Sequence, residues 1–224
     1  MQSLKTLEFK SKDNSYIEGI YSRLTEKENK IRRFLMSYII DTQRPFNINL
    51  LEGKNLKILN LSKEDLKKSL DTMQKKITLS MDEEGDVNFV YPVSVIKTNH
   101  KVTLENGKSF YAMCAVDAIG SSFTFKQRVT IESNCSECGE RVLMKIKDGK
   151  IEKCYPKEIQ ILHVDLNKYK NWANSCWNIM NFFCTKKHYD KWVKNIQIDK
   201  SSVFQINSIE ALIVSKMIFD VEDI

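Results

Sequence analysis

The stretch SFYAMCAVDAIG, Ser109 to Gly120, sets a thiol and a carboxylate in a run of otherwise almost wholly apolar residues. The run predicts a buried helix, and Gly120 predicts the point at which that helix ends. On a helix, Cys114 and Asp117 lie three residues apart and share one face. A carboxylate among apolar side chains is costly unless it is paired, neutralised or used, and burial raises its pKa towards a proton-donating range. Asp117 is therefore a candidate acid beside a thiol. On the helix alone, the alternative in which Cys114 fills the core and Asp117 faces solvent or caps a neighbour is slightly favoured.

The composition of the chain predicts a packed globular protein. It has 224 residues, 42% of them hydrophobic and 29% charged, which suits one large domain or two small ones. Because no stretch has the features of a signal peptide or a membrane span, we expect a cytoplasmic protein. In a reducing compartment the six cysteines are thiols, metal ligands or small buried hydrophobes rather than a disulfide framework. The net charge of +6 predicts a solvated basic surface with weak attraction to polyanions.

The first part of the chain has the pattern of a winged helix. Residues 16–40 repeat apolar side chains at helical spacing, which predicts one or two amphipathic helices. Ser62 is placed to cap a further helix. Residues 77–92 alternate apolar and polar side chains on both sides of an acidic turn that contains glycine, which predicts a hairpin. We therefore expect a winged-helix-like domain at 1–90 and a second domain at 91–224.

The second part predicts a mixed or antiparallel β-sheet with flanking helices, and hence an α+β fold. Asn106 and Gly107 form a strong turn signal between two extended segments. Thr185 is placed to cap a short helix, and residues 207–219 predict a final buried helix. The further predicted strands are KQRVTIES (126–133), RVLMKIK (141–147), KIEKCYP (150–156) and EIQILHVD (158–165).

The segment NCSECGE places Cys135 and Cys138 at the C-x-x-C spacing of a zinc knuckle or a redox pair. A closed zinc site normally has four ligands, often supplied as two close pairs, and no second C-x-x-C exists. Cys154 is a candidate third ligand, with His163 or Cys176 as the fourth. None of these has diagnostic spacing, so a structural zinc and an unmetallated turn both stay open, and the turn is slightly favoured.

The surroundings of three other cysteine and histidine residues predict ordinary structural positions, in the core or at the surface. Cys176 and Cys184 stand among aromatic residues that predict core, and His188 lies on a charged helix that predicts surface. The sequence contains no Gly-rich phosphate loop, no G-x-S-x-G elbow and no H-E-x-x-H motif, so nucleotide-binding and serine-hydrolase functions lose support.

Taken together, four segments resemble the organomercurial (alkylmercury) lyase family, from about Tyr91 to the final helix. That family has a Y-A-x-C-A-x-D helix, a strand ending in a cysteine turn, a cysteine segment leading into a Phe-Phe strand, and a helix with an Asp-Trp dipeptide. The last element is present only loosely, as Asp190-Lys191-Trp192. The matching segments are YAMCAVDAIG (111–120), RVTIESNCSECG (128–139), NSCWNIMNFF (174–183) and HYDKWVKN (188–195).

The resemblance implies a site in which two cysteines hold the mercury of an R–Hg⁺ substrate and an aspartate helps to protonate the departing carbon. Cys114 matches the first cysteine and Asp117 matches the aspartate. When the chain is aligned on Phe182–Phe183, Trp177 stands where the family has its second catalytic cysteine, and Cys176 comes one residue earlier. A one-residue slip in a strand turns a side chain to the other face, whereas a bulge restores it.

Three alternatives follow, in order of preference: Cys176 acts from its shifted position, another thiol such as Cys138 or Cys184 helps, or the protein acts on another thiophilic compound. The resemblance implies no organic cofactor, because the substrate brings the metal. The implied partners are a small organometallic substrate, a thiol that removes the product, and a mercuric reductase that receives Hg(II), with the protein a monomer or homodimer.

The competing hypothesis is a non-catalytic, metal-sensing winged-helix regulator. It conflicts with the acidic supposed wing, SMDEEGDV, which the phosphates of DNA would repel.

Overall fold

The computed structural model describes residues 19–50, 53–165, 178–196 and 202–221. Cys176 and Trp177, on which the predicted second thiol depends, lie outside the described residues. Residues 16–18, which begin the first predicted helical region, lie outside them as well.

Several helices of these ranges begin where a capping side chain accepts one of their first backbone N–H groups. The Ser62 hydroxyl accepts the N–H of Asp65 at 3.0 Å, and the Thr185 hydroxyl accepts that of His188 at 3.2 Å, so both predicted caps are confirmed. The helices are α1 (Glu26–Thr42), α2 (Gly53–Leu59), α3 (Lys63–Lys75), α4 (Ala115–Phe125), α5 (Lys186–Asn195) and α6 (Ser208–Phe219).

The strands in the described part of the chain form one sheet of nine strands and one of three. In the large sheet the order is β1-β3-β4-β6-β5-β7-β8-β9, with β2 paired to β3; the small sheet has the order β11-β10-β12. Neighbouring strands are antiparallel in both. The strands are β1 (Phe46–Asn47), β2 (Leu79–Met81), β3 (Asp86–Val90), β4 (Val93–Ser94), β5 (His100–Leu104), β6 (Ser109–Ala112), β7 (Val129–Asn134), β8 (Arg141–Lys147), β9 (Lys150–Tyr155), β10 (Gln160–Val164), β11 (Phe182–Phe183) and β12 (Val203–Asn207).

The predicted helix from Ser109 to Gly120 is wrong at both ends. Its first four residues are strand β6, which pairs with β5 across the turn at Asn106-Gly107. Its apolar side chains suit a buried strand as well as a helix, and the pairing partner decides between the two. The helix α4 begins at Ala115 and continues past Gly120 to Phe125.

Gly120 serves a close helix contact and not a helix end. A Cβ atom added there would lie 2.1 Å from the ring of Phe219 on α6, closer than any non-bonded carbon pair tolerates. The glycine therefore lets α4 and α6 pack together, and α4 in turn lies against β5, β6, β7 and β8. This packing buries nearly all of α4 and fixes its first turn.

The predicted strands of the second part and the hairpin of residues 77–92 are confirmed, giving a fold of helices with antiparallel sheet. The hairpin β2–β3 is hydrogen-bonded through β3 and β4 to β6, so the strands on both sides of residue 90 belong to one sheet. The division into domains at 1–90 and 91–224, and the winged-helix character of the first, stay predictions. Among the helices of the described ranges, none is long and apolar enough to cross a membrane.

Candidate active site and cysteine cluster

Cys114 lies at the N-terminal end of α4 as its N-cap residue. It is 1% exposed, and its sulfur accepts the backbone N–H of Asp117 at 3.4 Å. A helix N-terminus favours an anionic sulfur. Burial nevertheless raises the pKa of the Cys114 thiol well above its ordinary value, and the neighbouring carboxylate adds to the effect. In the free protein this sulfur is therefore a protonated thiol.

Asp117 occupies the first turn of the same helix and is 4% exposed. Burial raises the pKa of its carboxyl to about 7, although a hydrogen bond with the Cys114 side chain and a second with its backbone oppose the rise. At neutral pH a large fraction of this carboxyl therefore carries a proton. The thiol and the acid predicted to share a face are together, because they are the N-cap and third residue of one helix.

A second chain segment, residues 178–183, lies against this helix terminus. The carbonyl of Met180 accepts the N–H of Ala115 at 2.9 Å. The next residue, Asn181, contacts a buried imidazole: its Oδ1 lies 3.2 Å from His100 Nε2, and His100 Nδ1 lies 2.9 Å from the Ser133 hydroxyl. The segment that follows Cys176 in sequence is thus fixed to the start of α4 and to strands β5 and β7.

The predicted C-x-x-C pair is part of a four-residue cluster, Cys135, Cys138, Cys184 and His188. Three sulfurs and an imidazole nitrogen all lie within 4.8 Å of one another. Cys138 Sγ is 3.6 Å from Cys184 Sγ, and His188 Nδ1 is 3.0 Å from Cys184 Sγ and 3.7 Å from Cys135 Sγ. These are the donor atoms that bind zinc in closed sites.

Local backbone structure produces this cluster. After β7 the chain makes a tight turn in which the N–H of Gly139 bonds to the carbonyl of Cys135 at 2.8 Å. Gly139 has a φ of +78°, and a Cβ atom added to it would meet no other atom within 4 Å, so the turn needs glycine for its backbone conformation alone. The N–H of Ser136 then bonds to the carbonyl of Phe182 at 3.0 Å, which joins the turn to β11. Cys184 follows β11 directly, and His188 lies in the first turn of α5.

The sulfurs of the cluster differ in acidity. Burial raises the pKa of Cys135, but backbone N–H groups of Cys184, Glu137 and Cys138, with the His188 side chain, lower it to about 7 overall. Burial raises the pKa of Cys184 to about 12, with further increases from hydrogen bonds and charge at Cys138 and Cys135. The Cys135 sulfur is thus prepared to be a thiolate, whereas Cys184 resists adding further negative charge unless a cation is present.

Two ligands suggested from the sequence lie elsewhere. Cys154 is on β9, where its thiol donates to the carbonyl of Pro156 at 3.3 Å and burial raises its pKa to about 11. His163 is buried in β10. Neither belongs to the cluster of described residues around the C-x-x-C turn. Cys176, the other suggested ligand, lies outside the described residues.

Comparison with known proteins tests the resemblance in the sequence. The model of the alkylmercury lyase family matches residues 93–219, more than half of the chain. The chain belongs to the alkylmercury lyase family. Cys114, Asp117 and all four residues of the cluster lie within the matched range.

Individual members of the family agree with this. Alkylmercury lyases of Bacillus cereus and Clostridium butyricum are each 24% identical to the chain over 184 residues, covering 79% of this chain and 81% of theirs. That of Staphylococcus epidermidis is 24% identical over 166 residues, covering 73% of this chain and 75% of its own. A crystal structure of the mercury-bound form of MerB2 has the same fold, with a TM-score of 0.70 at 16% identity, over 88% of this chain and 92% of that one.

The sequence interpretation of this alkylmercury lyase family member missed His188 as a partner of the cysteines, since its charged helix predicted plain surface. One signal was present: Cys184 and His188 lie four residues apart, which makes a second close ligand pair. A cysteine and a histidine serve as such a pair as well as two cysteines do.

Proposed function

We propose that this protein cleaves the carbon–mercury bond of organomercurials by protonolysis, with Cys114 and Cys176 as mercury ligands and Asp117 as proton donor. The observation that carries the proposal is the buried pair at the start of α4. There a thiol contacts a carboxyl whose pKa is raised to about 7. Family membership supports the same reaction class.

The chemistry of the pair suits this reaction. Mercury is a soft metal and prefers sulfur ligands. When Cys114 binds R–Hg–X, an S–Hg bond forms, X leaves and the thiol proton is released beside Asp117. The second thiol forms another S–Hg bond, and its proton replaces the one that Asp117 gives up. This second sulfur adds electron density to the metal and weakens the Hg–C bond. The carboxyl proton then passes to carbon as that bond breaks. In sum, R–Hg–X and two thiols give R–H, HX and a dithiolate complex of Hg(II).

Chain connectivity supports Cys176 as the second ligand. Met180 is hydrogen-bonded to the first residue of α4, and Cys176 precedes it by four residues. Four residues span at most about 14 Å, a length that would let Cys176 approach Cys114. Cys138 and Cys184 are weaker candidates for this role, because each contacts the other members of the cluster.

Product handling completes the proposal. The reaction needs no organic cofactor. A small thiol removes Hg(II) from the two sulfurs, and a mercuric reductase is the proposed recipient. Whether the protein acts as a monomer or a homodimer stays a prediction.

The regulator hypothesis has less support. The turn between β2 and β3, which would be the tip of the wing, carries Asp82, Glu83 and Glu84, and Asp86 begins β3. Four carboxylates here disfavour contact with phosphates. Absence of a gel shift with random duplex DNA at low salt would remove it.

The decisive experiment incubates the full-length protein with methylmercury and a small thiol, and measures methane and Hg(II). We expect both products from the wild type. Asp117→Asn keeps the shape of the side chain but has no acidic proton, so turnover should fall by about 10²–10⁴-fold while methylmercury still binds. Cys114→Ser removes the first sulfur and should abolish both turnover and tight binding.

Cys154→Ser is the matched control, because it removes a partly buried thiol that lies outside the pair and the cluster. It should leave turnover unchanged. Cys176→Ser tests the second ligand and should reduce turnover as strongly as Cys114→Ser. If Cys176→Ser is fully active, Cys176 is not the second sulfur. If wild-type protein binds methylmercury without releasing methane, the protein is not a lyase for this substrate.

A further inference from the structure

The four-residue cluster lies apart from the pair proposed to react with mercury and has its own arrangement of donors. It combines two close ligand pairs, Cys135 with Cys138 and Cys184 with His188, from separate parts of the matched region. We propose that these four residues bind a resident Zn²⁺ ion that fastens the turn after β7 to β11 and α5. This inference does not depend on the lyase activity.

The distances fit a tetrahedral ion. With zinc–sulfur bonds of about 2.3 Å, two sulfurs of a tetrahedron lie about 3.8 Å apart, and a sulfur and a nitrogen about 3.6 Å apart. The observed separations are 3.6 Å for Cys138 and Cys184, and 3.7 and 3.0 Å for the two sulfurs next to His188 Nδ1. Since every pair of donors is within 4.8 Å, an ion can enter with shifts of about 1 Å or less.

The donor set selects zinc over other resident metals. Three thiolates and one imidazole form a closed set without an open position, which is typical of structural zinc. Iron–sulfur clusters mostly use four cysteines, and magnesium and calcium require oxygen ligands. With His188 bound through Nδ1, its Nε2 carries the proton, so the ring ligates in its neutral form.

Neighbouring groups complete the site. Backbone N–H groups of Glu137, Cys138 and Cys184 point to the Cys135 sulfur, as they do where a C-x-x-C turn wraps a metal and the N–H groups share the charge of a thiolate. Three thiolates and Zn²⁺ leave one net negative charge. Lys191 on α5 forms an ion pair with Glu137 in the turn, which adds a second link between the same two elements.

The position of the site gives zinc a structural task. The backbone N–H groups of Ser136 and Ala115 donate hydrogen bonds to the carbonyls of Phe182 and Met180, respectively. Residues 180–182 are therefore held on one side by the turn and on the other by α4. A metal at Cys184 and His188 fixes the chain just after this segment. We therefore expect loss of zinc to loosen β11 and α5 before it affects the large sheet.

The test is metal analysis of full-length protein purified without chelator. We expect one zinc ion per chain in the wild type and in Cys114→Ser. Cys138→Ser and His188→Ala change positions that are not fully buried and should fold. Each should lower zinc affinity by more than the roughly 100-fold that loss of an outer partner of a metal ligand can cost. Cys154→Ser is the matched control and should keep its zinc.

Cobalt replacement gives an independent readout. Co²⁺ in the wild type should show sulfur-to-metal charge transfer and the visible bands of a tetrahedral site, both lost in Cys138→Ser. Wild-type protein that holds no zinc after incubation with Zn²⁺ and gel filtration would overturn the proposal, as would a disulfide between Cys138 and Cys184 in freshly purified protein. Zinc that is lost in Cys114→Ser but kept in Cys138→Ser would place the ion at the candidate active site and also refute it.

Discussion

The buried carboxyl of Asp117 should leave a clear signature in the pH dependence of stability. Its pKa is raised from the ordinary 3.8 to about 7 by burial, so the folded protein holds this proton more tightly than the unfolded chain. The stabilisation that this bound proton gives the folded state is therefore fully present below about pH 4 and is lost as the pH rises to about 7. Three pKa units at 1.36 kcal/mol each correspond to about 4 kcal/mol of unfolding free energy.

Asp117→Asn isolates this contribution, because the amide has nearly the shape of the carboxyl and no proton to lose. Below about pH 4 the variant should be close to the wild type or slightly less stable. Between about pH 4 and pH 8, the unfolding free energy of the variant should rise by about 4 kcal/mol relative to that of the wild type. The variant must be compared with the wild type at each pH, because two buried histidines also make stability depend on pH. Burial lowers the pKa of His100 and of His163 to about 4, so their contribution to the unfolding free energy rises with pH, opposite to that of Asp117.

Urea unfolding followed by tryptophan fluorescence, at several pH values across this window, measures the difference directly. Asp148→Asn makes the same chemical change at an exposed turn and should leave the wild-type pH dependence as it is. A difference between Asp117→Asn and wild type that does not change with pH would show that Asp117 is not held in a desolvated environment, and would also remove the physical basis for its role as acid.

Two further predictions concern the stability of residues around the site, one through packing and one through protonation. Gly120→Ala should lower the unfolding free energy by about 1–3 kcal/mol, because its methyl group overlaps the buried ring of Phe219. Adding Phe219→Leu should recover part of the loss. A single variant as stable as the wild type in thermal denaturation would contradict the close contact. As the pH falls from about 6.5 to about 4, the wild type should lose up to about 3 kcal/mol of unfolding free energy, because only the unfolded chain readily protonates His100. His100→Gln should remove this loss. If the variant loses as much unfolding free energy in acid as the wild type, His100 is not the responsible group.

Local signals in the sequence predicted most elements of the fold. Ser62 and Thr185 stand directly before their helices, and the Asn106-Gly107 turn joins β5 to β6, because capping and turn geometry depend on a few neighbouring residues. The predicted start of the helix at Ser109 was wrong, because local signals do not decide between strand and helix for this segment. Its apolar residues suit both structures, and the choice depends on pairing with β5, which local periodicity does not contain.

The candidate site was predictable where it is local and unpredictable where it is not. Cys114 and Asp117 are close because one helix turn joins them. The cluster joins Cys138 to Cys184, 46 positions later in the chain, and only the pairing of the turn after β7 with β11 brings them together. Gly120 shows a related limit: its role comes from Phe219, on a helix far along the sequence.

The continuity of the large sheet across residue 90 affects how the protein can be divided. β4 is bonded on one side to β3 and on the other to β6, and α1 packs against β3, β4 and β6. A fragment that begins at residue 91 would keep the matched family region but lose β3 and α1. The row of backbone groups on β4 would then face water as an unprotected edge beside uncovered apolar side chains, a combination that favours aggregation. Helix α1 and strand β3 thus shield the part of the protein that carries the candidate site from joining other copies of itself.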